Sequence, residues 1–282
     1  MTKFKLLVWL FFAMLVLYLG INVIGKSRLA VRTYNLTSEK LKSPVVIVLL
    51  TDLHACLYGQ KQSDLISLVD AQCPDLVLFG GDMINHSGSY ENTLTLISAL
   101  AAKYPCYYVT GNHEIATRQV SKIKQQLLQA NVTVLAGKTV TVTVCGQQLQ
   151  LSGIDDFFYQ HRIYILPAQL RSASTNLDDA LFSVLLAHRP DKYKWYLPYG
   201  YDLILCGHAH GGQVRIPGLL NGLYAPNQGL FPRYAGGEYS FDDQTMIVSR
   251  GLSKKPYWMP RVFNPPELVV INLLPQQSTA IQ

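Results

Sequence analysis

The stretch VVIVLLTDLH, residues 45–54, decides the fold of this chain. Its first six residues are all apolar, and four of them are β-branched. A continuous apolar run of this length predicts a strand that is buried on both faces, as strands of parallel sheets are. Asp52 and His54 follow it directly, at the carboxyl end of the strand, where open α/β sheets bind their ligands. The stretch therefore predicts both a fold class and the edge of the sheet that carries function.

Four further apolar runs end in the same way. They are residues 76–79, 106–109, 182–187 and 203–206, and the motifs that follow them are Gly80-Gly81-Asp82, Gly111-Asn112-His113-Glu114, His188-Arg189 and Gly207-His208-Ala209-His210. Apolar residues recur with helical spacing over residues 63–71, 91–103 and 119–130, between the early runs. Alternating strands and helices predict parallel β units.

The rest of the chain predicts further strands. Residues 132–135, 139–144 and 149–154 are short and rich in β-branched residues, and residues 246–249 and 268–273 close the chain after a long irregular loop. Two sheets packed face to face, with helices outside, accommodate this order. We predict an α/β fold, a four-layer sandwich of two mixed β-sheets flanked by helices, preceded by one N-terminal transmembrane helix.

The N-terminal segment sets the predicted domain boundaries. Residues 6–25 contain no formal charge, and Lys3, Lys5, Lys26 and Arg28 flank them. Twenty uncharged, mainly apolar residues are enough to cross a hydrocarbon core of about 30 Å. We predict a transmembrane anchor over residues 1–25, a basic linker over 26–43, a catalytic domain over 44–275 and a tail over 276–282. The expected location is the cell membrane, in a single pass. Basic residues flank both ends of the span, so the sequence does not predict which side of the membrane carries the catalytic domain. A cleaved signal peptide is the alternative.

The net charge of +6 belongs to the N-terminal segment. Seven of the 24 basic residues and one of the 18 acidic residues precede Ser43, so the remainder carries equal numbers of bases and acids. Nucleic-acid binding depends on a basic surface that neutralises phosphates. A nucleic-acid partner is therefore disfavoured.

The strand-end motifs predict a metal centre. Their candidate ligands are Asp52, His54, Asp82, Asn112, His188, His208 and His210, with His113 as an additional histidine. Carboxylate, amide and imidazole groups suit divalent metals, and seven ligands are too many for one zinc ion. They suit two cations that share a carboxylate. Asp82 is the natural bridge, because the two glycines before it allow a tight turn that brings its carboxylate into the centre. Asp52 and His54, like His208 and His210, are expected to alternate on extended backbone and project to one side.

The ordered set Asp-x-His, Gly-Gly-Asp, Gly-Asn-His-Glu, His and Gly-His-x-His resembles the calcineurin-like dinuclear metallophosphoesterase family. Residues 207–217 also resemble its membrane-associated subgroup, typified by the bacterial YkuE and YaeI phosphoesterases. The resemblance implies that Asp52, His54 and His210 hold one metal. It implies that Asn112, His188 and His208 hold the other, and that Asp82 bridges the two.

The resemblance also implies a reaction. Two divalent ions (Mn²⁺, Zn²⁺ or Fe²⁺) would lower the pKa of a shared water, and the resulting bridging hydroxide would attack phosphorus in line. His113 would protonate the leaving group, so His113 and Asp82 are the predicted catalytic residues. We expect a membrane-anchored phosphodiesterase or pyrophosphatase, a hydrolase of phosphoric ester or phosphoanhydride bonds.

Basic residues beside apolar ones in three loops suggest the substrate. The candidates for binding it are Arg162, Arg215, Arg233 and Lys254. A cation beside an apolar surface suits a phosphorylated lipid or glycolipid intermediate, although the aromatic residues of these loops would equally fit a loop core. The alternatives are a phosphatase or nucleotide phosphodiesterase with a soluble small-molecule substrate, and a non-catalytic protein that retains the fold.

Overall fold

The computed structural model describes residues 3–24, 29–85, 90–157, 165–254 and 260–276. Its helices are α1 (Lys3–Ile24), α2 (Ser63–Asp70), α3 (Glu91–Ala101), α4 (Asn112–Ala116), α5 (Val120–Gln129), α6 (Ile165–Ser174) and α7 (Tyr193–Tyr196). Its strands are β1 (Ala30–Ser38), β2 (Val45–Leu50), β3 (Leu76–Phe79), β4 (Cys106–Tyr108), β5 (Val132–Val134), β6 (Lys138–Val144), β7 (Gln147–Ile154), β8 (Phe182–Ala187), β9 (Leu203–Cys206), β10 (Tyr224–Ala225), β11 (Gly229–Leu230), β12 (Gly237–Phe241), β13 (Gln244–Val248) and β14 (Glu267–Pro275).

The described strands form two six-stranded mixed sheets and one short hairpin. The first sheet has the order β1-β14-β2-β3-β4-β5, in which only the β14–β2 pair is antiparallel. The second has the order β12-β13-β9-β8-β7-β6, with antiparallel pairs at its two edges. Strands β10 and β11 form the hairpin. In both sheets the central parallel strands β2, β3, β8 and β9 are almost entirely buried.

Three apolar clusters divide the molecule into layers. One joins the facing sides of the two sheets, with Leu49 and Leu78 from the first sheet against Leu186 and Leu205 from the second. A second packs helices α2, α3 and α5 onto the outer face of the first sheet, and a third packs α6 and α7 onto the second sheet. The predicted sandwich of two mixed sheets flanked by helices is confirmed. Burial of apolar side chains on both faces of each sheet stabilises this arrangement.

The strands that carry the motifs follow the sequence prediction closely, whereas two edge strands do not. The bounds of β2, β3, β8 and β9 equal those of the predicted runs. Residues 26–43, predicted as a linker, instead contribute β1, which pairs in register with β14 from Ala30–Glu267 to Ser38–Pro275. The irregular loop before β13 contains β12. Both strands lie at sheet edges and expose much of their side-chain surface, so local hydrophobicity does not reveal them.

Helix α1 covers most of the predicted anchor. Its side chains are exposed over residues 3–17. In the part of the chain that the structure describes, no helix has both the length and the apolar character needed to cross a bilayer. The predicted transmembrane anchor over residues 1–25 is therefore not confirmed. Gly25, at which the predicted span ends, lies outside the described residues, as does the tail from residue 277 onward.

Candidate metal centre

The predicted ligand motifs meet at one edge of the sandwich. Each lies directly beyond the carboxyl end of β2, β3, β4, β8 or β9. The loops after β2 and β3 stay paired past the strand ends, because Asp52 N donates to Gly81 O at 3.0 Å and His54 N donates to Asp82 O at 3.0 Å. Strands of both sheets thus deliver side chains to a common site, as the parallel topology predicts.

Five of the seven candidate ligands lie on left-handed rather than extended backbone. Asp52, His54 and Asp82 have φ of 52°, 48° and 52°, and His208 and His210 have φ of 67° and 48°. The prediction that Asp52 and His54, and likewise His208 and His210, project from an extended segment is therefore wrong. Left-handed backbone is uncommon outside glycine, although Asp and His adopt it more readily than most residues, and it clusters at functional sites. Here the hydrogen bonds between the two loops hold it.

Two glycines allow the ligand loops to touch. Gly81 has φ of 89°, and a Cβ atom on it would lie 2.5 Å from the backbone nitrogen of Gly111. A Cβ atom on Gly111 would lie 2.2 Å from Asp82 Oδ1. Any side chain at either position would push apart the loops that carry Asp82 and Asn112. The predicted role of glycine beside Asp82 is thus a steric requirement of this packing.

The candidate ligand atoms form three overlapping groups. Within each group the atoms lie within 4.8 Å of one another, and the groups are Asp52/His54/His210, His54/Asp82/His113 and Asp82/His188/His208. Asp82 belongs to two of them, and its Oδ2 lies 3.3 Å from His188 Nε2 and 3.9 Å from His54 Nε2. His210 Nε2 lies 3.7 Å from Asp52 Oδ1 and 3.4 Å from His54 Nε2. All of these side chains are buried.

Two orphaned atoms show that divalent cations fit here. His188 Nδ1 donates to Gly80 O at 2.8 Å, so in the neutral, metal-binding form of the ring Nε2 is unprotonated and faces the Asp82 carboxylate. That Nε2 is buried without a hydrogen-bond partner among the described residues, and so is Asn112 Oδ1. Buried acceptors are normally satisfied, and a cation between them would satisfy both. The backbone bond that orients His188 is also typical of metal-binding histidines.

Burial dominates the titration of three histidines. It lowers the pKa of His54 to about 3, and it holds the pKa values of His208 and His210 well below their usual range. Neutral imidazole is the form that binds a metal ion. These side chains are therefore ready to act as ligands at neutral pH.

Asp82 and His188 form a buried pair in which each group stabilises the charged form of the other. Burial disfavours the imidazolium of His188, but the carboxylates of Asp82 and Asp52 outweigh it and raise its pKa to about 10. Burial also opposes ionisation of Asp82, yet His188 and His54 keep its pKa well below the usual value. Burial raises the pKa of Asp52 to about 6. The site thus stabilises a positive charge between these groups, which is where a cation would lie.

Glu114 ends the Gly111-Asn112-His113-Glu114 motif, and the sequence indicated no role for it. Its buried carboxylate accepts five hydrogen bonds of 2.8 to 3.2 Å, from the backbone N–H groups of Asp82, Met83, Ile84 and Gly111 and from the hydroxyl of Tyr108. One side chain therefore joins the loop after β3 to the loop after β4. Burial raises its pKa to about 7, against the backbone donors that favour the carboxylate.

Asn227 and Arg189 fix the ring of His208. Asn227 Oδ1 lies 2.7 Å from His208 Nε2 and accepts from Arg189 Nη1 at 2.6 Å. Because Oδ1 only accepts, His208 donates Nε2–H to it, which leaves Nδ1 for a cation. Arg189 in turn forms a two-pronged ion pair with the buried Asp156, at 2.6 and 3.1 Å. Arg189 was visible beside His188, whereas nothing in the local sequence pointed to Asn227.

Three of the four predicted substrate-binding residues lie among the described residues, and no contact between them is seen there. Arg162 lies outside the described residues. Lys254 donates to Leu57 O at 2.8 Å and lies 3.7 Å above the ring of Tyr58. Arg233 is exposed, with its guanidinium carbon 5.4 Å from the ring centre of Tyr234. Arg215 lines a pocket outside the three ligand groups.

Comparison with known proteins agrees with this geometry. A family model described as "Calcineurin-like phosphoesterase" matches residues 45–212. Phosphodiesterase YaeI of Escherichia coli (strain K12) is 31% identical over 74% of this chain and 76% of its own length. The uncharacterized metallophosphoesterase YkuE of Bacillus subtilis (strain 168) is 27% identical over 80% of this chain and 78% of its own.

Solved structures share the fold. The phosphopantetheinyl hydrolase PptH from Mycobacterium tuberculosis superposes with a TM-score of 0.50 at 13% identity, over 78% of this chain and 96% of that one. The family match extends from the first residue of β2 to the loop after His210, and it contains every predicted ligand. The resemblance to the family is thereby confirmed, whereas the membrane-associated subgroup is not. The chain belongs to the calcineurin-like phosphoesterase family and is a hydrolase of phosphoester bonds.

Proposed function

We propose that this protein is a phosphodiesterase that works with two divalent cations. The observation that carries the proposal is the double membership of Asp82, whose carboxylate belongs to two of the three ligand groups. A carboxylate shared in this way is how proteins hold two cations about 3.5–4 Å apart. In this arrangement Asp52, His54 and His210 hold one cation, and Asn112, His188 and His208 hold the other.

Bound cations would supply the positive charge that activates water and neutralises phosphate oxygens. The protein supplies the geometry. Glu114 holds the two central ligand loops together, and Asn227 and Gly80 O orient the rings of His208 and His188. Ligands fixed before the substrate arrives need no reorganisation during the reaction, which is where such sites gain most of their rate.

His113 is the proposed general acid. Its backbone N–H donates to Asp82 Oδ1 at 2.7 Å, and its Nε2 lies 3.9 Å from Asp82 Oδ2. Its ring meets that of His54 edge to face, with 4.3 Å between the ring centres. In its protonated form, His113 can pass a proton to the oxygen of the departing group. His113 also falls within ligand distance of His54 and Asp82, so its role as acid or ligand is a question for metal analysis.

Metal content and turnover together test the proposal. The purified full chain, reconstituted with Mn²⁺ or Zn²⁺, is expected to carry two ions and to hydrolyse bis-p-nitrophenyl phosphate. A chelator should abolish hydrolysis, and added metal should restore it. One ion per chain by elemental analysis at saturation, or turnover that survives chelation, would contradict a dinuclear centre.

The proposed substrate is a phosphorylated lipid or glycolipid. Support comes from the loop of residues 211–241, in which Tyr234 is buried but Leu219, Leu230 and Phe231 are exposed. Large apolar side chains that remain exposed in a loop commonly mark a binding surface. The test compares kcat/KM for a lipid phosphodiester in nonionic micelles with the values for bis-p-nitrophenyl phosphate and for a soluble nucleotide diester. A preference for the nucleotide would favour the soluble alternative.

We place the protein at a cell membrane, attached through α1. Support comes from the exposed apolar side chains of this helix, among them Phe4, Trp9, Phe11 and Met14. An apolar surface of this kind gains free energy on leaving water. The full chain is expected in the membrane fraction of the producing cells. Release by high salt or alkaline carbonate would indicate surface attachment, and recovery in the supernatant without treatment would contradict the proposal.

A further inference from the structure

Three arginine side chains line a pocket that contains none of the proposed metal ligands. This cationic pocket holds Arg32, Arg215 and Arg250 with Asn221, and its volume is about 360 Å³. Its apolar lining includes Ile216, Leu219 and Phe263. The volume lies within the range typical of pockets for small ligands. The sequence had singled out only Arg215 of these cations.

The three arginines come from distant parts of the chain and are held by the fold. Arg32 lies on β1 and pairs with Val269 of β14. Arg215 lies five residues after His210, and its backbone N donates to Val262 O at 2.9 Å. Arg250 passes beside Gly236, where a Cβ atom would lie 2.7 Å from Arg250 Cγ. Strand and loop backbone thus hold the positions from which these cations reach the pocket, which limits the conformational entropy that ligand binding costs.

The charge of this pocket is only partly balanced. None of the described residues that line it is acidic, and the nearest paired carboxylate, the buried Glu267, lies 3.3 Å from Arg250 Nε. Arg215 donates through Nη2 to Asn221 Oδ1, but its Nη1 is buried without an acceptor among the described residues. Burial and the neighbouring Arg250 lower the pKa of Arg215 to about 10. At neutral pH the group remains charged, and an anion would relieve this repulsion.

The rim of the pocket is apolar and exposed. Leu219 is 82% exposed, Phe263 54% and Ile216 44%. Helix α1 ends at Ile24, six residues before β1 begins at Ala30. Six residues of chain reach at most about 21 Å, so the end of α1 lies within that distance of the start of β1. The exposed apolar helix is therefore tethered close to Arg32. Cations at the bottom of a pocket and apolar side chains at its rim match an amphiphile with an anionic head.

We propose that the cationic pocket is a second anion site, separate from the metal centre, that binds a phosphate group and favours one carried by a lipid. Arginine suits this role because its planar fork binds phosphate through paired, charge-assisted hydrogen bonds. The site lies next to the metal centre along the chain. Arg250 precedes Gly251, where a Cβ atom would lie 2.6 Å from Asp52 Cβ. The inference does not depend on which ester the metal centre hydrolyses.

Binding measurements on the metal-loaded full chain in neutral maltoside micelles test the site. One probe is inorganic phosphate, and the other is phosphatidylglycerol mixed into the micelles, with phosphatidylcholine as the zwitterionic comparison. Each titration is repeated with a chelator, which separates binding at the metals from binding in the pocket. The variants are Arg32→Gln, Arg215→Gln and the double variant. Arg171→Gln on α6 is the matched control, because it removes the same charge from an exposed position outside the pocket.

The double variant is expected to bind phosphatidylglycerol at least tenfold more weakly, with the chelator present or absent, while Arg171→Gln stays within twofold of the wild type. Loss of binding to both probes would assign a site that accepts free phosphate. Loss for the lipid probe alone would assign a site that requires the lipid. Equal binding by the wild type and the double variant, or an equal loss in Arg171→Gln, would overturn the proposal.

The unfolding temperature shows whether a variant binds weakly only because it is misfolded. Arg32 is exposed, so Arg32→Gln alone should unfold at the wild-type temperature and still bind more weakly. Because binding is measured without turnover, its failure leaves the proposed hydrolase intact. A wild-type protein without metal-dependent hydrolysis would instead overturn the proposed function and leave the pocket in place.

Discussion

The metal centre and the cationic pocket lie close together along the chain, yet they are built in opposite ways. The candidate metal centre is buried, collects carboxylate, amide and imidazole groups from the ends of strands in both sheets, and holds five of its seven candidate ligands on left-handed backbone. The cationic pocket is open, collects guanidinium groups from an edge strand and two loops, and exposes apolar side chains at its rim.

This difference shows that strand ends suit catalysis and that loops suit recognition. Chemistry on a phosphate needs ligands fixed to within a fraction of an ångström, and strand ends locked by Glu114 can provide this. Recognition of a bulky amphiphile tolerates more freedom, and loops can provide the required surface. If this division is right, substitutions at strand ends should change metal content or turnover, and substitutions in the pocket should change binding alone.

The largest effect is expected for Asp82→Asn. It replaces the carboxylate shared by two ligand groups with a neutral amide, so at least one metal site should weaken. Hydrolysis of bis-p-nitrophenyl phosphate should fall by about 10³-fold or more, since both cations act on the same phosphate. Elemental analysis should show fewer than two ions per chain. Asp243→Asn, at an exposed position in the turn between β12 and β13, is the control and should keep both metals.

His113→Ala should separate chemistry from metal binding. A lost general acid typically costs about 10²–10⁴-fold in rate, and we expect a fall in kcat of that order with both metals retained. The loss should be smaller for esters with a good leaving group, which need no protonation. A mutant that loses metal as completely as His188→Ala would show that His113 is a ligand.

A smaller effect is expected for Asn227→Ala. Without the acceptor on Nε2, the ring of His208 loses the bond that fixes its orientation. Loss of such an outer partner typically costs about 10–100-fold in metal affinity or activity. The metal concentration for half-maximal activity should rise accordingly, and saturating metal should restore most of the rate. An unchanged metal requirement would show that Arg189 and the loop backbone hold His208 without Asn227.

The smallest effect is expected for Gly236→Ala. The added methyl group would lie 2.7 Å from Arg250 Cγ and should displace that side chain from the cationic pocket. We expect binding of phosphatidylglycerol micelles to weaken by about threefold, which corresponds to well under 1 kcal/mol. Metal content should not change. A loss of metal in this variant would break the division between the two regions.

Most of the fold could be predicted because the buried strands carry a local signal. The runs at 45–50, 76–79, 182–187 and 203–206 are almost entirely apolar, and runs this short are typical of strands buried on both faces. Strands β1 and β12 could not be predicted in this way. Backbone pairing stabilises both strands. The partner of β1 is β14, far away in the chain, and the partner of β12 is β13, across a short turn.

The site divides along the same line. Each predicted ligand of the metal centre follows an apolar run, so its place at the edge of the sheet follows from its neighbours in sequence. Asn227 lies in an irregular loop without such a run, and Arg250 follows the run 246–249 but belongs to none of the ligand motifs. The described substrate residues proposed from loop composition, Arg215, Arg233 and Lys254, accordingly have separate contacts.

The sequence by itself determined the buried strands, the two-sheet sandwich and the candidate metal ligands, because apolar burial and the residues next to it are properties of short segments. The tertiary structure alone decided the left-handed backbone at the ligands, the clamp made by Glu114 and the meeting of three arginines in one pocket. These features depend on hydrogen bonds and contacts between loops that are brought together only when both sheets have formed.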